Sequence, residues 1–471
     1  MAALFSVSAL FLGIALIMTG NGLQGTLLGL RGSLEGFGNQ TMGLVMSGYF
    51  IGFLAGSLYA PRVVARVGHI RVFAGLASLA SAAVLVHSMV IDPWLWLAMR
   101  ILTGFSYAGL YIVAESWVND ISDNENRGRL LSMYMVVQLG AISVGQTLLA
   151  VADPGGADLF MIVAVLVSLA LLPICLTTTR APEFAAPEPL GLRELFHLSP
   201  LGTVGMLLTG ITNGAVFGFT AVFARAAGLS VADTATIIIA IFLGGMVMQW
   251  PVGRISDRFD RRTVIMATTF AAALVAALAT LVPLPESRPE DFSIWLLIGA
   301  VALFGGLSIP LYSLFNAHVN DRVPLRKMVA ASSRLVFLNG AGAIAGPNIA
   351  AAFMDVTGAR GFFISLALLH GLIGILTLFR MARRAAPTAE QQVDFMAMPV
   401  RGTTVAVQMT TDDEGNPTSA SSDDEAAADS DADSDRETPS TGPAEDAPDM
   451  AEAPHSNDPH SDEEKPHDRQ G

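Results

Sequence analysis

Apolar residues fall into long runs separated by short polar stretches. Twelve of these runs approach the roughly 20 residues a helix needs to cross a hydrocarbon core of about 30 Å. They cover residues 6–29, 41–60, 72–91, 94–118, 130–152, 158–179, 200–224, 232–252, 263–283, 293–317, 330–353 and 361–380, here named spans 1 to 12. The pattern predicts an all-α integral membrane protein with twelve transmembrane helices. Residues 1–8 carry no positive charge and no clear cleavage site follows, so span 1 is expected to be a retained helix and not a signal peptide.

The chain also repeats itself. A shift of 192 residues lays Asn21-Gly22 on Asn213-Gly214, and Arg62, Arg66 and His69 on Arg254, Arg258 and Arg261. Beyond span 3 the shift becomes 201, because residues 283–292 form a longer loop than Asp92-Pro93. Gly104, Tyr111, Val118-Asn119-Asp120 and Gly145 then fall on Gly305, Tyr312, Val319-Asn320-Asp321 and Gly346. Six spans per repeat is an even number, so the halves are parallel repeats related by an axis along the membrane normal. A substrate site is expected between them, near mid-membrane. The expected organisation is a first six-helix bundle over 1–180, a cytoplasmic inter-bundle loop over 181–199, a second bundle over 200–384 and an acidic tail over 385–471.

Composition sharpens this. Hydrophobic residues make up 52% of the 471 and charged residues 14%, with mean hydropathy +0.52; soluble domains run near 25% charged. The net charge of minus 14 is two unlike parts: residues 1–384 carry plus 4 and residues 385–471 carry minus 18. A tail so rich in Ser, Asp, Glu, Ala and Pro is expected to be disordered, since it cannot bury enough apolar surface to offset its ordering entropy. Among loop residues, 17 Arg and Lys lie on the side of the N-terminus and 4 on the other. The positive-inside rule then places both termini and the tail in the cytoplasm, with the protein multi-pass in the inner membrane. The single cysteine, Cys175, excludes a disulfide framework and a cysteine-built metal site. No phosphate-binding loop, HExxH or nucleophile elbow is present, so neither ATP-driven pumping nor an enzyme is expected. No cofactor, metal or nucleic-acid partner is expected either.

Polar residues inside the spans are the candidates for chemistry, because an Arg at a helix centre costs about 2.5–3.5 kcal/mol on insertion scales. Arg100 is one such residue. Tyr107, Tyr111 and Glu115 lie within about 60° of it on a helical projection, so the four share a face. Snorkelling from the nearby helix end is the bland alternative for Arg100. Glu115 sits about a turn from the loop end of span 4, and reads either as a structural contact to Arg127, Arg129 or another loop arginine, or as a protonatable carboxylate. Its repeat partner is Asn316, so any proton coupling is expected to be asymmetric, with Arg100 and Glu115 carrying it. Asn21 and Gln24 on span 1, and Thr209 and Asn213 on span 7, serve either as interhelical glue or as cavity lining. Repeat-related Asn21 and Asn213 favour the cavity, to which Tyr312 and Asn316 of span 10 also belong. Gly48, Gly52 and Gly56 form a small-xxx-small ridge that reads as close helix packing.

The loop Gly253-Arg254-Ile255-Ser256-Asp257-Arg258-Phe259-Asp260-Arg261-Arg262 resembles the G-x-x-x-D-R-x-G-R-R loop of the major facilitator superfamily, with Asp260 where glycine is usual. Its repeat copy, from Pro61 to Arg71, keeps the basic residues and Gly68 but has Ala65 in place of the Asp. Arg100-Ile101-Leu102-Thr103-Gly104 is similar to the span 4 motif of proton-linked members. Gly342-Ala343-Ile344-Ala345-Gly346-Pro347 is similar to the bend that antiporters carry on span 5; here it lies on span 11, and span 5 has Gln146 at the proline position, so antiport is not supported. Glu115-Ser116-Trp117-Val118-Asn119, with Ala317-His318-Val319-Asn320-Asp321, resembles the YcaD-like branch.

The resemblance implies alternating access by two rocking bundles around a site lined by spans 1, 4, 7 and 10. It also implies a cytoplasmic gate in which Asp257 faces the start of span 5, Arg258 pairs with Asp321 and Arg66 pairs with Asp120. The expected function is secondary-active transport of a small solute through the lipid bilayer, with protons as the candidate coupling ion. A non-transporting sensor that signals through the tail is the alternative. His455, His460 and His467 are expected to belong to a solvated acidic tail and not to a metal site, and the tail's partner is left open.

Overall fold

The computed structural model describes residues 2–120, 127–175, 190–286, 293–324 and 327–383, together with Phe395, Met398 and Thr403. Ten described segments are long and apolar enough to cross a membrane. One of them, Met328–Arg383, holds two helices, Met328–Thr357 and Gly361–Arg383, divided at Gly358 with φ +67°. Asp158–Ile174 adds a shorter apolar span. Twelve spans therefore stand where hydropathy places them. Span 10 is broken into Ile294–Ser308 and Leu311–Asn320. The break falls at Pro310, whose missing N–H and bulky ring disfavour an unbroken helix. Between the halves, Leu192–Leu198 forms a short helix, fastened to span 11 by Arg334 Nε donating to the Leu190 carbonyl at 2.7 Å. The expected tail beyond residue 403, and the inter-bundle loop before Leu190, lie outside the described residues.

The two halves pack their helices in the same pairs. Spans 1 and 5, 2 and 4, and 3 and 6 meet in the first half; spans 7 and 11, 8 and 10, and 9 and 12 meet in the second. The glycines show the equivalence at atomic detail. A Cβ on Gly22 would strike the Ile142 carbonyl, and one on Gly145 the Thr19 carbonyl; in the second half Gly214 faces the Ala343 carbonyl and Gly346 that of Ile211. Likewise Gly52 faces the Ile101 carbonyl and Gly104 that of Tyr49, while Gly244 faces Ala302 and Gly305 faces Ile241. Each glycine and each carbonyl maps onto its counterpart through the shifts of 192 and 201 residues. Helices in lipid gain little from hydrophobic burial against each other, so backbones drawn close by missing side chains supply the packing.

Because spans alternate in direction, the beginning of span 1 and the end of span 12 lie at one end, called here the basic end. At the other end the halves are closed on each other. Asn39 Nδ2 donates to Asp355 at 2.9 Å, the Ser47 hydroxyl to the Ile344 carbonyl at 2.6 Å, and Asn348 Nδ2 to the Ser47 hydroxyl at 2.7 Å, all joining span 2 to span 11. Near the same end of span 1, a Cβ on Gly29 would lie 2.8 Å from Ala221 Cβ of span 7.

Polarity is inverted relative to a soluble fold. Leu243, Val247, Leu274, Leu278, Leu372 and Ile375 face outward, whereas Asn21, Arg100 and Glu115 are buried. Such an exterior needs hydrocarbon around it. Trp94 and Trp295 are exposed towards the closed end and Trp250 towards the basic end, as residues of the two membrane interfaces would be.

Candidate functional site

Span 1 places Asn21 at the centre of a polar cluster. Its Nδ2 donates to the Tyr49 hydroxyl at 3.0 Å and to the Tyr111 hydroxyl at 2.5 Å, linking spans 1, 2 and 4. The Arg100 guanidinium carbon stands 4.7 Å from the Tyr49 ring centroid, in a cation–π contact that suits a planar, weakly hydrated cation. Tyr107 adjoins both Tyr49 and Tyr111, with ring centroids at 6.3 and 6.0 Å. Arg100 is only 4% exposed, so it does not reach out to water as snorkelling would require.

A pocket opens beside this cluster, between the halves. Its first-half lining carries most of the polar groups, Asn21, Thr26, Tyr49, Arg100 and Gln146, beside Phe50 and Ile142. The second half contributes mostly apolar side chains, including Val216, Phe217, Ile238, Ile241 and Phe242, with Phe217 stacked on Phe242 at 5.4 Å. Gln146 holds the polar side in place by donating to the Gly22 carbonyl at 2.8 Å and accepting from the Thr26 hydroxyl at 2.7 Å.

Other sequence candidates lie outside the pocket lining. Gln24 and Asn213 are buried, and both polar atoms of Gln24 and Nδ2 of Asn213 have no hydrogen-bond partner among the described residues. An orphaned buried group of this kind costs about 1–3 kcal/mol, so water or a ligand is the natural complement. Tyr312 and Asn316 are buried on span 10, towards the basic end.

Glu115 is fully buried and separate from Arg100. One of its oxygens accepts from the Tyr134 hydroxyl at 2.8 Å, and Gln138 donates to that hydroxyl at 3.3 Å. The Thr403 amide donates to the carboxylate at 3.1 and 3.3 Å, and the Thr403 hydroxyl donates to it as well. The alternative contacts to Arg127 and Arg129 involve side chains outside the described residues.

The residues expected to form a cytoplasmic gate pair differently from that expectation. Asp321 is bound by Arg261 at 2.6 Å, both side chains being 1% exposed, while Arg258 is exposed. The reason is position: Arg261 opens span 9 and points inward, whereas Arg258 ends span 8 on its outer side. Asp257 meets Arg261 at 3.2 Å and accepts from the Phe395 amide at 2.9 Å, in place of the start of span 5. Arg66 is exposed, and the side chain of Asp120 lies outside the described residues. Asp260, the departure from the usual glycine, caps span 9 by accepting from the Arg262 amide at 3.0 Å and pairing with its guanidinium at 2.9 Å. Its repeat counterpart Gly68 has φ +93°, where a glycine is needed; Asp260 has φ −53°, where it is not.

Tyr49, Thr26, Gln146, Phe217 and Phe242 were not legible as site residues. Two had signals: Tyr49 adjoins Gly48 of the small-residue ridge, and Gln146 occupies the repeat position of Pro347.

Comparison with known proteins places these features. A profile of the Major Facilitator Superfamily matches residues 10–347 and 204–408. The chain is 26% identical over 383 residues to a protein of Escherichia fergusonii named as the uncharacterised MFS-type transporter YcaD, covering 81% of this chain and 97% of that one. A counterpart from Escherichia coli is 26% identical over 378 residues, covering 80% and 96%. Among solved structures, the nucleoside transporter NupG superposes with a TM-score of 0.64 at 15% identity, covering 81% of this chain and 98% of that one. A bacterial homologue of the human lysosomal transporter Spinster, in an inward-facing and occupied conformation, gives 0.60 at 16% identity, covering 83% and 98%.

Proposed function

The chain belongs to the major facilitator superfamily, and from that premise we propose that it carries a small amphipathic solute, coupled to protons through Glu115. The protein is a multi-pass membrane transporter that works by alternating access. The observation behind the solute class is the two-sided pocket: a polar wall with a guanidinium from the first half faces an apolar, aromatic wall from the second. A solute with an anionic or strongly polar head and an apolar body would satisfy both walls. Rocking the halves would separate them and release it.

Glu115 suits the coupling role because it is an ionisable carboxylate buried within the bundle, where such a group is a functional-site candidate, and it accepts from the Tyr134 hydroxyl. Rocking of the halves would change which groups surround this carboxylate. Asn316, at the equivalent place in the second half, cannot titrate, so the coupling is asymmetric and carried by the first half. With 17 of the loop arginines and lysines at the basic end, that end is assigned to the cytoplasm of an inner membrane. Closure at the opposite end then makes this conformation inward-facing. Asp257, Arg258, Asp321, Arg66 and Asp120 are assigned to the gate that forms when the basic end closes. The relatives are transporters, and nothing in the bundle favours a sensor without transport.

Reconstitution in liposomes with an internal pH dye, screened against solutes, tests the reading. Solute-dependent proton flux is expected in the wild type and its loss in Glu115→Gln. Flux that persists in the variant removes Glu115 from the coupling role.

A further inference from the structure

Three residues beyond the last span are seated in the bundle at its basic end. The Phe395 amide donates to Asp257 at the end of span 8, at 2.9 Å, and its ring lies where a side chain on Gly253 would stand. The Met398 amide donates to the Ser313 hydroxyl of span 10 at 3.0 Å, and that hydroxyl also accepts from Gln249 of span 8 at 2.8 Å. Met398 is 2% exposed and packs with an apolar cluster of the second half that includes Leu311 and Tyr312. Thr403 is fully buried and gives both its amide and its hydroxyl to Glu115 of span 4.

The anchors lie on both halves: Asp257 and Ser313 belong to the second, Glu115 and its partner Tyr134 to the first. Residues 395 to 403 can span up to about 28 Å at roughly 3.5 Å per residue, enough to reach from one bundle to the other. We propose that Phe395, Met398 and Thr403 are the anchors of an internal strap, docked on spans 4, 8 and 10 at the basic end. Its three described residues bridge span 4 to spans 8 and 10, which must move relative to each other when this end closes. It therefore holds the transporter with its opposite end shut, and blocks the solute path to the basic end until it leaves.

The docking is chemically specific. A buried carboxylate accepts charge-assisted hydrogen bonds best, and Thr403 supplies two donors to Glu115. Met398 is anchored through backbone and apolar contacts on the opposite wall. The strap thus occupies the carboxylate that proton coupling would use, so docking of the strap and uptake of a proton at Glu115 compete. This consequence rests on the transport reading above; the docking itself does not.

The experiment uses the full chain with Cys175→Ser and Met398→Cys, treated with a membrane-impermeant maleimide in detergent and in inside-out vesicles. Labelling at position 398 is expected to be slow. Adding Thr403→Glu, which sets a second carboxylate against Glu115, should raise the rate at least about tenfold, as expected when hydrogen bonds to a charged group are lost. If Thr403→Glu does not elute as a folded monomer, Phe395→Ala serves instead and should act in the same direction. Fast labelling without the second substitution, or a rate that neither substitution changes, overturns the strap. No transported solute is needed, so failure here is distinct from failure of the transport reading.

Discussion

Arg261 and Asp321 form an ion pair at 2.6 Å with both side chains 1% exposed, tying the start of span 9 to the loop end of span 10. The charges are two of a crowded set: Asp257 also touches Arg261, and Asp260 engages Arg262. Which arginine takes Asp321 decides how the basic-end loops of the second half are braced.

Removal of one partner should expose that bracing. Asp321→Ala leaves a buried guanidinium short of its counter-charge and is expected to cost about 3–5 kcal/mol. Arg258→Ala, at an exposed position, should change stability by less than about 0.5 kcal/mol. Thermal unfolding in detergent compares the two, and equal losses would contradict the assignment of Arg261.

The glycine crossings make a second prediction. Gly305→Val would drive a side chain into the Ile241 carbonyl of span 8 and should destabilise by about 1–3 kcal/mol or more. Gly299, on the same helix, has open space where a Cβ would go, so Gly299→Ala should be neutral or slightly stabilising. Unfolding temperatures that fall equally would mean that the crossing is not a close one.

Arg100→Lys keeps the charge but loses the flat face set over Tyr49. Uptake of whichever solute the liposome screen identifies should fall by up to about thirtyfold, since such a contact is worth up to ~2 kcal/mol where desolvated. Expression and elution should stay normal. Wild-type uptake in this variant would place Arg100 outside the solute path.

Asp257→Asn tests the gate. In the conformation closed at the opposite end, Asp257 binds Arg261 and the Phe395 amide; in the other state it is assigned to the start of span 5. Contacts of a carboxylate with a helix terminus contribute about 0.3–1 kcal/mol, so the shift in the balance of states should be a few-fold. Uptake should drop while membrane expression stays near normal, and unchanged uptake would count against the latch.

Much of the fold was legible because lipid leaves the chain few choices. Every backbone polar group inside a bilayer must be satisfied within the protein, so long apolar runs become helices. Repeat spacing then revealed which glycines are equivalent, and those glycines mark the close crossings. The face shared by Arg100, Tyr107 and Tyr111 also followed from helical periodicity. Periodicity did not reveal Tyr49, which joins Asn21 and Arg100 from another helix, nor Gln146, which ties span 5 to span 1.

From sequence alone came the twelve spans, the parallel repeat, the charge asymmetry and the polar residues inside the spans. Each rests on spacing within a helix or on total charge, quantities that survive without knowing distances. Tertiary structure decided that Arg261 and not Arg258 meets Asp321, that the halves close at the end away from the termini, and that Thr403 reaches Glu115. Such pairings join residues remote in the chain, and a displacement of one helical turn, about 5.4 Å, suffices to exchange one partner for another.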